Sequence, residues 1–169
     1  MRPSRTVMLG MLLGLTVLLQ LGPAYLPGGS MVLAMAATLP TAIAAVAAPR
    51  RCNWFFVAAC WLIGLAAVEE MFVYLAMTGP LGLMLGLTYD SPRWKAVTFS
   101  ALVLTVGMLI LPSLAGVYPW GGVERSLAPA WQLAGYGGFA LAYAALWRGF
   151  LGRVLTRLPL EGYTGGKTP

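Results

Sequence analysis

The stretch LAAVEEMFVYLAM, residues 65–77, sets two carboxylates side by side within an apolar run. Only five acidic residues occur in the whole chain, so Glu69 and Glu70 are the first candidates for chemistry. Adjacent carboxylates in such a run suit three purposes. They can line an outward-facing ligand pocket, form a proton or cation site at mid-membrane, or mark a wet hairpin where the chain leaves lipid and turns back. The other reactive side chains offer less. There is no histidine, so a serine or cysteine nucleophile would lack its base and no histidine-based metal set can form. Cys52 and Cys60 would lie about 12 Å apart along one helix, beyond disulfide reach. Met31 and Met35 share a helix face and are soft enough for Cu(I), but methionine is also ordinary apolar filler and none here pairs with a cysteine. No glycine loop with a lysine is present to cradle phosphate. These residues point to binding, transport or scaffolding rather than catalysis, with no cofactor and no metal.

The elements that must position these residues follow from composition. The chain of 169 residues is 59% hydrophobic and 9% charged, with a mean hydropathy of +0.79. A soluble domain carries about 25% charge, so the chain reads as one integral membrane domain surrounded by lipid. The net charge of +6 sits in short clusters between apolar runs, where it speaks to orientation and anionic headgroups rather than to nucleic acid. Apolar runs fall at about 6–21, 31–48, 54–68, 71–89, 96–116 and 132–151. A bilayer core of roughly 30 Å needs about 20 helical residues. Block 54–89 would be about 54 Å long as a single helix, so it must fold back. Turning at Thr78-Gly79-Pro80 leaves half a span for the return; turning at Glu69-Glu70 leaves two spans of similar length.

Charge placement decides between these. With the amino terminus in the cytoplasm, Arg2, Arg5, Arg50, Arg51, Arg93, Lys95, Arg148, Arg153, Arg157 and Lys167 share one side, and only Arg125 falls outside, next to Glu124. The expectation is an all-α bundle of six transmembrane helices, a multi-pass protein of the cytoplasmic membrane with both termini in the cytoplasm. Pro40 and Pro80 lie inside spans, and each removes a backbone hydrogen bond. They are kinks, or they free carbonyls toward a cavity.

Small residues recur four apart at Gly10 and Gly14, at Gly82 and Gly86, and at Ala134, Gly138 and Ala142. Such stripes flatten a helix face for close packing, either inside this chain or against another membrane subunit. Gly10 and Gly14 are the best candidates for the second use. The outer connections GPAYLPGGS (22–30) and LPSLAGVYPWGGVERSLAPAW (111–131) carry Tyr25, Tyr118, Trp120 and Trp131 among prolines and glycines. These aromatics form an interfacial belt or a lid over a pocket.

The runs LPTAIAAVAAPRR (39–51) and TGPLGLMLGLTYDSPRWK (78–95) resemble the YybS-type membrane proteins, which are similar in pattern to the S components of energy-coupling factor transporters. The likeness covers about half the chain. It rests on the proline after a leucine in the second span, the basic pair that ends it, and the G-P-L-G-L-x-L-G run closing at a cytoplasmic loop. The resemblance implies a subunit that captures a small, vitamin-like solute from outside, powered by a transmembrane coupling subunit and cytoplasmic ATPases. It implies that Gly10 and Gly14 face the coupling subunit, and that Tyr25, Glu69, Glu70, Tyr118 and Trp120 gate or line the solute site. No vitamin-specific motif is visible, which leaves the solute open. VLLQLGPAYLP (17–27) and the GPLGL run also resemble MreD-type rod-shape proteins, which implies a scaffold for cell-wall synthesis. An accessory subunit of a larger membrane complex is the third possibility. A ligand-sized outward cavity would distinguish solute capture; a filled interior with a flat small-residue face would distinguish the scaffold.

Overall fold

A computed structural model describes residues 4–26, 30–119 and 122–157. The described residues are mostly helical, with no strand among them. Eight α-helices follow in order: α1 (Arg5–Tyr25), α2 (Ser30–Ala36), α3 (Thr38–Ala47), α4 (Cys52–Ala66), α5 (Val68–Val73), α6 (Gly79–Leu87), α7 (Arg93–Ala115) and α8 (Pro129–Leu155). Three continuous helical stretches are long and apolar enough to cross a membrane: Arg5–Tyr25, Val68–Leu87 and Arg93–Ala115. The pair Leu33–Ala47 and Pro49–Ala66, bent by 116°, raises the number to four if it forms one broken span. Six spans are therefore not reached by length and composition alone. α4 has only 15 residues, and α8, though 27 residues long, is diluted by Gln132, Gly135, Tyr136, Gly137, Gly138 and Tyr143.

Local sequence explains where the helices begin and break. Ser4 caps α1 by accepting the Val7 backbone N–H at 3.3 Å, satisfying one of the donors a helix start leaves free. Pro40 has no N–H to give, and the helix in that region is interrupted at Ala37, between α2 and α3. The fold-back in block 54–89 comes at Ala67, whose extended backbone (φ −154°, ψ 104°) separates α4 from α5. Glu69 and Glu70 thus occupy the first turn of the returning helix, where acids suit the positive end of the helix dipole.

Helix contacts fix the relative directions. Gly82 faces Thr38 and Thr41, and Gly86 faces Ala42 and Ala45. An advance of four residues along α6 matches an advance of four along α3, so the two run parallel at backbone contact. Arg93, at the start of α7, meets Arg148 and Gly149 near the end of α8, which makes α7 and α8 antiparallel. Thr6 and Leu9 of α1 lie beside Arg50, Arg51 and Trp54, while Arg148 reaches Tyr89 at the end of α6. The basic clusters at 50–51, 93–95 and 148–153 therefore gather at one end of the bundle with the start of α1.

The core lies between α3, α6, α7 and α8, where Leu81, Leu85, Leu104, Met108, Tyr136 and Leu151 are buried together. A second cluster joins Ala59 and Ile63 of α4 to Tyr74, against Leu13, Val17 and Leu21 of α1. Large apolar side chains also cover the outside: Met11, Leu18, Trp61, Leu65, Leu102 and Leu146 are each more than half exposed. An exterior this apolar on several helices suits lipid rather than water.

Candidate functional site

Residues Tyr74–Thr78, between α5 and α6, form a single π-helical turn. Its origin is chemical. Pro80 has no N–H to offer the Ala76 carbonyl, and the Gly79 N–H bonds instead to Tyr74 O, five residues back. The released Ala76 carbonyl points into α7, where a Cβ on Gly107 would overlap it. Glycine at 107 is what lets the two backbones approach. Pro80 thus accompanies an irregular turn, and the Ala76 carbonyl abuts Gly107 rather than a cavity.

The same turn organises a buried polar network. Gln20 of α1 is fully buried; its amide nitrogen donates to Glu70 Oε2 at 3.0 Å. Its amide oxygen accepts the Thr78 hydroxyl at 2.9 Å. One turn earlier along the chain, the Tyr74 hydroxyl pairs with Thr41 Oγ1 at 3.0 Å, and Thr41 also donates to the Ala37 carbonyl at 3.1 Å. Gln20, Glu70 and Thr78 tie α1 to the returning helix, and Tyr74 and Thr41 tie that helix to α3. Thr16, one turn before Gln20 and equally buried, bonds back to the Leu12 carbonyl at 2.9 Å. Polar groups at this depth cost free energy unless paired, and these are paired with one another. π turns are enriched at functional sites, and this one supplies two of the network's five side chains.

The sequence-derived candidates are only partly assembled. Glu70 is half-buried in the network, while Glu69 beside it is exposed. Tyr25 is exposed and donates its hydroxyl to the Ala66 carbonyl at 3.4 Å, bracing the end of α1 against the α4–α5 hairpin. Tyr118 lies in the long connection with the Arg125 guanidinium 3.9 Å above its ring. Trp120 lies outside the described residues, as does the side chain of Glu124. Tyr25 and Glu70 thus share the α4–α5 hairpin end, and Tyr118 has its own partner. Gln20, Thr41, Tyr74 and Thr78 join the site beside them, and none is a sequence-derived candidate. The available signal was Gln20 itself, the one amide in the apolar run of α1, with Thr16 one turn before it.

Two clefts open at the basic end, and Gly10 borders one of them, while Tyr25, Glu69, Glu70 and Tyr118 line neither. One, of about 690 Å³, lies between α1 and α4 and is walled by Leu9, Gly10, Leu13, Trp54 and Phe55 below Arg50 and Arg51. The other, of about 320 Å³, is lined by Arg93, Arg148 and Arg153 with Gly149, Gly152 and Thr156.

The glycines divide into two groups. Gly79, Gly82, Gly86 and Gly107 are pressed against neighbouring helices. Gly10, Gly14, Gly137 and Gly138 have nothing within 4 Å of where a side chain would begin. On α1 the open glycines belong to a continuous exposed stripe with Val7, Met11, Leu15 and Leu18.

No protein-family model, curated protein or solved structure matches the chain. The likeness to YybS-type proteins, S components and MreD-type proteins accordingly rests on the quoted residues alone.

Proposed function

We propose that this chain is a non-enzymatic, multi-pass subunit of the cytoplasmic membrane that acts by docking α1 on another membrane protein. The observation that carries the reading is the open Gly10–Gly14 face with its spacing of four on one exposed stripe of α1, whereas the equally spaced Gly82 and Gly86 are already filled by a neighbouring helix. Within lipid, close backbone approach drives helix association, and α1 keeps a flat strip bordered by large apolar side chains for it. Behind the strip, away from the cleft that Gly10 borders, Thr16 and Gln20 are fully buried and hydrogen-bonded. A flat small-residue face backed by self-satisfied polar side chains favours a scaffold or accessory subunit of a larger complex, of which an MreD-like role is one form.

The arrangement of spans belongs to the same proposal. Six crossings with both termini in the cytoplasm place the basic end inside, in keeping with the usual bias of lysine and arginine. α4, short for a span, reaches the interface with help from the Pro49–Arg51 turn at one end and the hairpin at the other.

Solute capture as an S-component-like subunit is the second reading, favoured by the Gln20–Glu70–Thr78 network beside Tyr25. There a vitamin-like solute would replace Gln20 as the partner of Glu70, and partner ATPases would drive its release inside. Purification of the full chain in mild detergent, with mass spectrometry of retained proteins and small molecules, separates the two. A co-retained ATPase pair with a membrane coupling protein supports solute capture. Cell-wall synthesis proteins, or a membrane complex without ATPases, support the scaffold. A chain recovered alone from gently solubilised membranes contradicts both.

A further inference from the structure

The cleft between α7 and α8 gathers three guanidinium groups with no carboxylate among its lining residues. Arg93 and Arg148 project over Gly149 and Gly152, whose missing side chains leave a bare patch on α8. A Cβ on Gly149 would sit 3.8 Å from Arg93 Nη2, and one on Gly152 would sit 4.0 Å from Arg148 Nη1. Arg148 is held in place from behind: its Nη2 donates to the Tyr89 carbonyl at 2.6 Å, and its guanidinium lies 4.2 Å above the Tyr89 ring. Its Nε is buried and has no hydrogen-bond partner, which is costly for a charged donor. Thr156 donates its hydroxyl to the Arg153 carbonyl at 2.9 Å.

Arg153 alone is explained by the helix, because a cation suits a C-terminal turn. Arg93 is not. It is the first residue of α7, where the helix dipole is positive and disfavours a cation. An anion there would be favoured by the positive end of α7 and by the arginines. We propose that this cleft binds a phosphate group, with Arg93, Arg148 and Arg153 as its ligands, and that the phosphate is the headgroup of an anionic phospholipid. Lipid is the favoured source because the cleft lies at the basic end, and basic pockets between membrane helices on that side take phosphate headgroups. Trp94 and Phe150, next in sequence to Arg93 and Gly149, are exposed and offer apolar surface to the acyl chains. The site is built from α7 and α8, independently of the α1 docking face.

The test is native mass spectrometry of the full chain in mild detergent, offered phosphatidylglycerol and phosphatidylcholine in equal amounts. The wild type is expected to retain phosphatidylglycerol by about tenfold or more over phosphatidylcholine, since each surface arginine contributes several-fold. The double variant R93Q/R153Q leaves the Arg148–Tyr89 contact in place and is expected to bring that ratio within about twofold. R125Q, at a distant connection, is expected to leave it unchanged. No preference in the wild type, or a preference that survives R93Q/R153Q, overturns the site. Should R93Q/R153Q fail to fold, the single variants R93Q and R153Q are read the same way. Inorganic phosphate is the second arm. Failure of millimolar phosphate to displace the lipid supports a lipid site; phosphate that displaces it and protects the protein from thermal unfolding overturns the lipid assignment.

Discussion

Gln20 and Glu70 stand fifty positions apart in the chain, yet the amide nitrogen of one lies 3.0 Å from the carboxylate of the other. The same amide accepts from Thr78 through its oxygen, so one side chain on α1 satisfies two groups on the returning helix. Removing it strands both. Q20A is expected to destabilise the protein by about 1–3 kcal/mol, the cost of leaving buried polar groups unmade. E70Q keeps the shape and one bond, and is expected to cost less. Thermal unfolding of the purified protein in detergent checks the order; equal stability of Q20A and the wild type contradicts a network that holds α1 to the hairpin.

The pairing of Tyr74 with Thr41 is more forgiving. Y74F removes one partner, but Thr41 keeps its bond to the Ala37 carbonyl. A loss of about 0.5–1.5 kcal/mol is expected. In a double-mutant cycle with T41V, the coupling between the two positions should account for most of it. Additive effects would show that the hydroxyls do not act on each other.

Gly107 and Gly137 make opposite predictions from the same substitution. A methyl group at 107 overlaps the Ala76 carbonyl that Pro80 sets free, so G107A is expected to cost about 1–3 kcal/mol through overpacking. At 137 the space is open, and G137A is expected to be neutral or slightly stabilising because alanine favours the helix by up to about 1 kcal/mol. Equal melting of the two variants would contradict the close approach of α7 to the π turn.

Orientation is tested by chemistry at the two ends. In a C52A/C60A background, a single cysteine at S126C should react with a membrane-impermeant maleimide in intact cells. One at S91C, beside the basic end, should react only after permeabilisation. Reversed labelling would put the arginine clusters outside and refute the proposed topology.

Much of this arrangement was legible in the sequence because its causes are local. Span length and charge placement put the turn in block 54–89 at Glu69-Glu70, and it lies at Ala67, two residues earlier. The two prolines marked irregular backbone, and both regions are irregular. Pro40, however, accompanies a break three residues before it, and Pro80 a π turn whose carbonyl finds Gly107. The glycine pairs all looked alike on paper. Gly82 and Gly86 turned inward against α3, while Gly10 and Gly14 stayed open, because a stripe of small residues flattens a face without saying which neighbour it meets. The network was the least visible part. Gln20 meets residues fifty and fifty-eight positions away, a relation that no local pattern contains. Tyr118 and Tyr25 share chemistry and connection type, yet each is committed to a contact of its own.

The docking claim rests on Gly10 and Gly14, and one comparison tests it most directly. Wild type and G10L/G14L are purified gently from the same native membranes, each with its stability measured alone and its retained membrane proteins quantified. Because nothing lies within 4 Å of either glycine, the variant is expected to melt like the wild type while losing its membrane partner by tenfold or more, about 1.4 kcal/mol. A variant that keeps the same partner in the same amount would contradict the account.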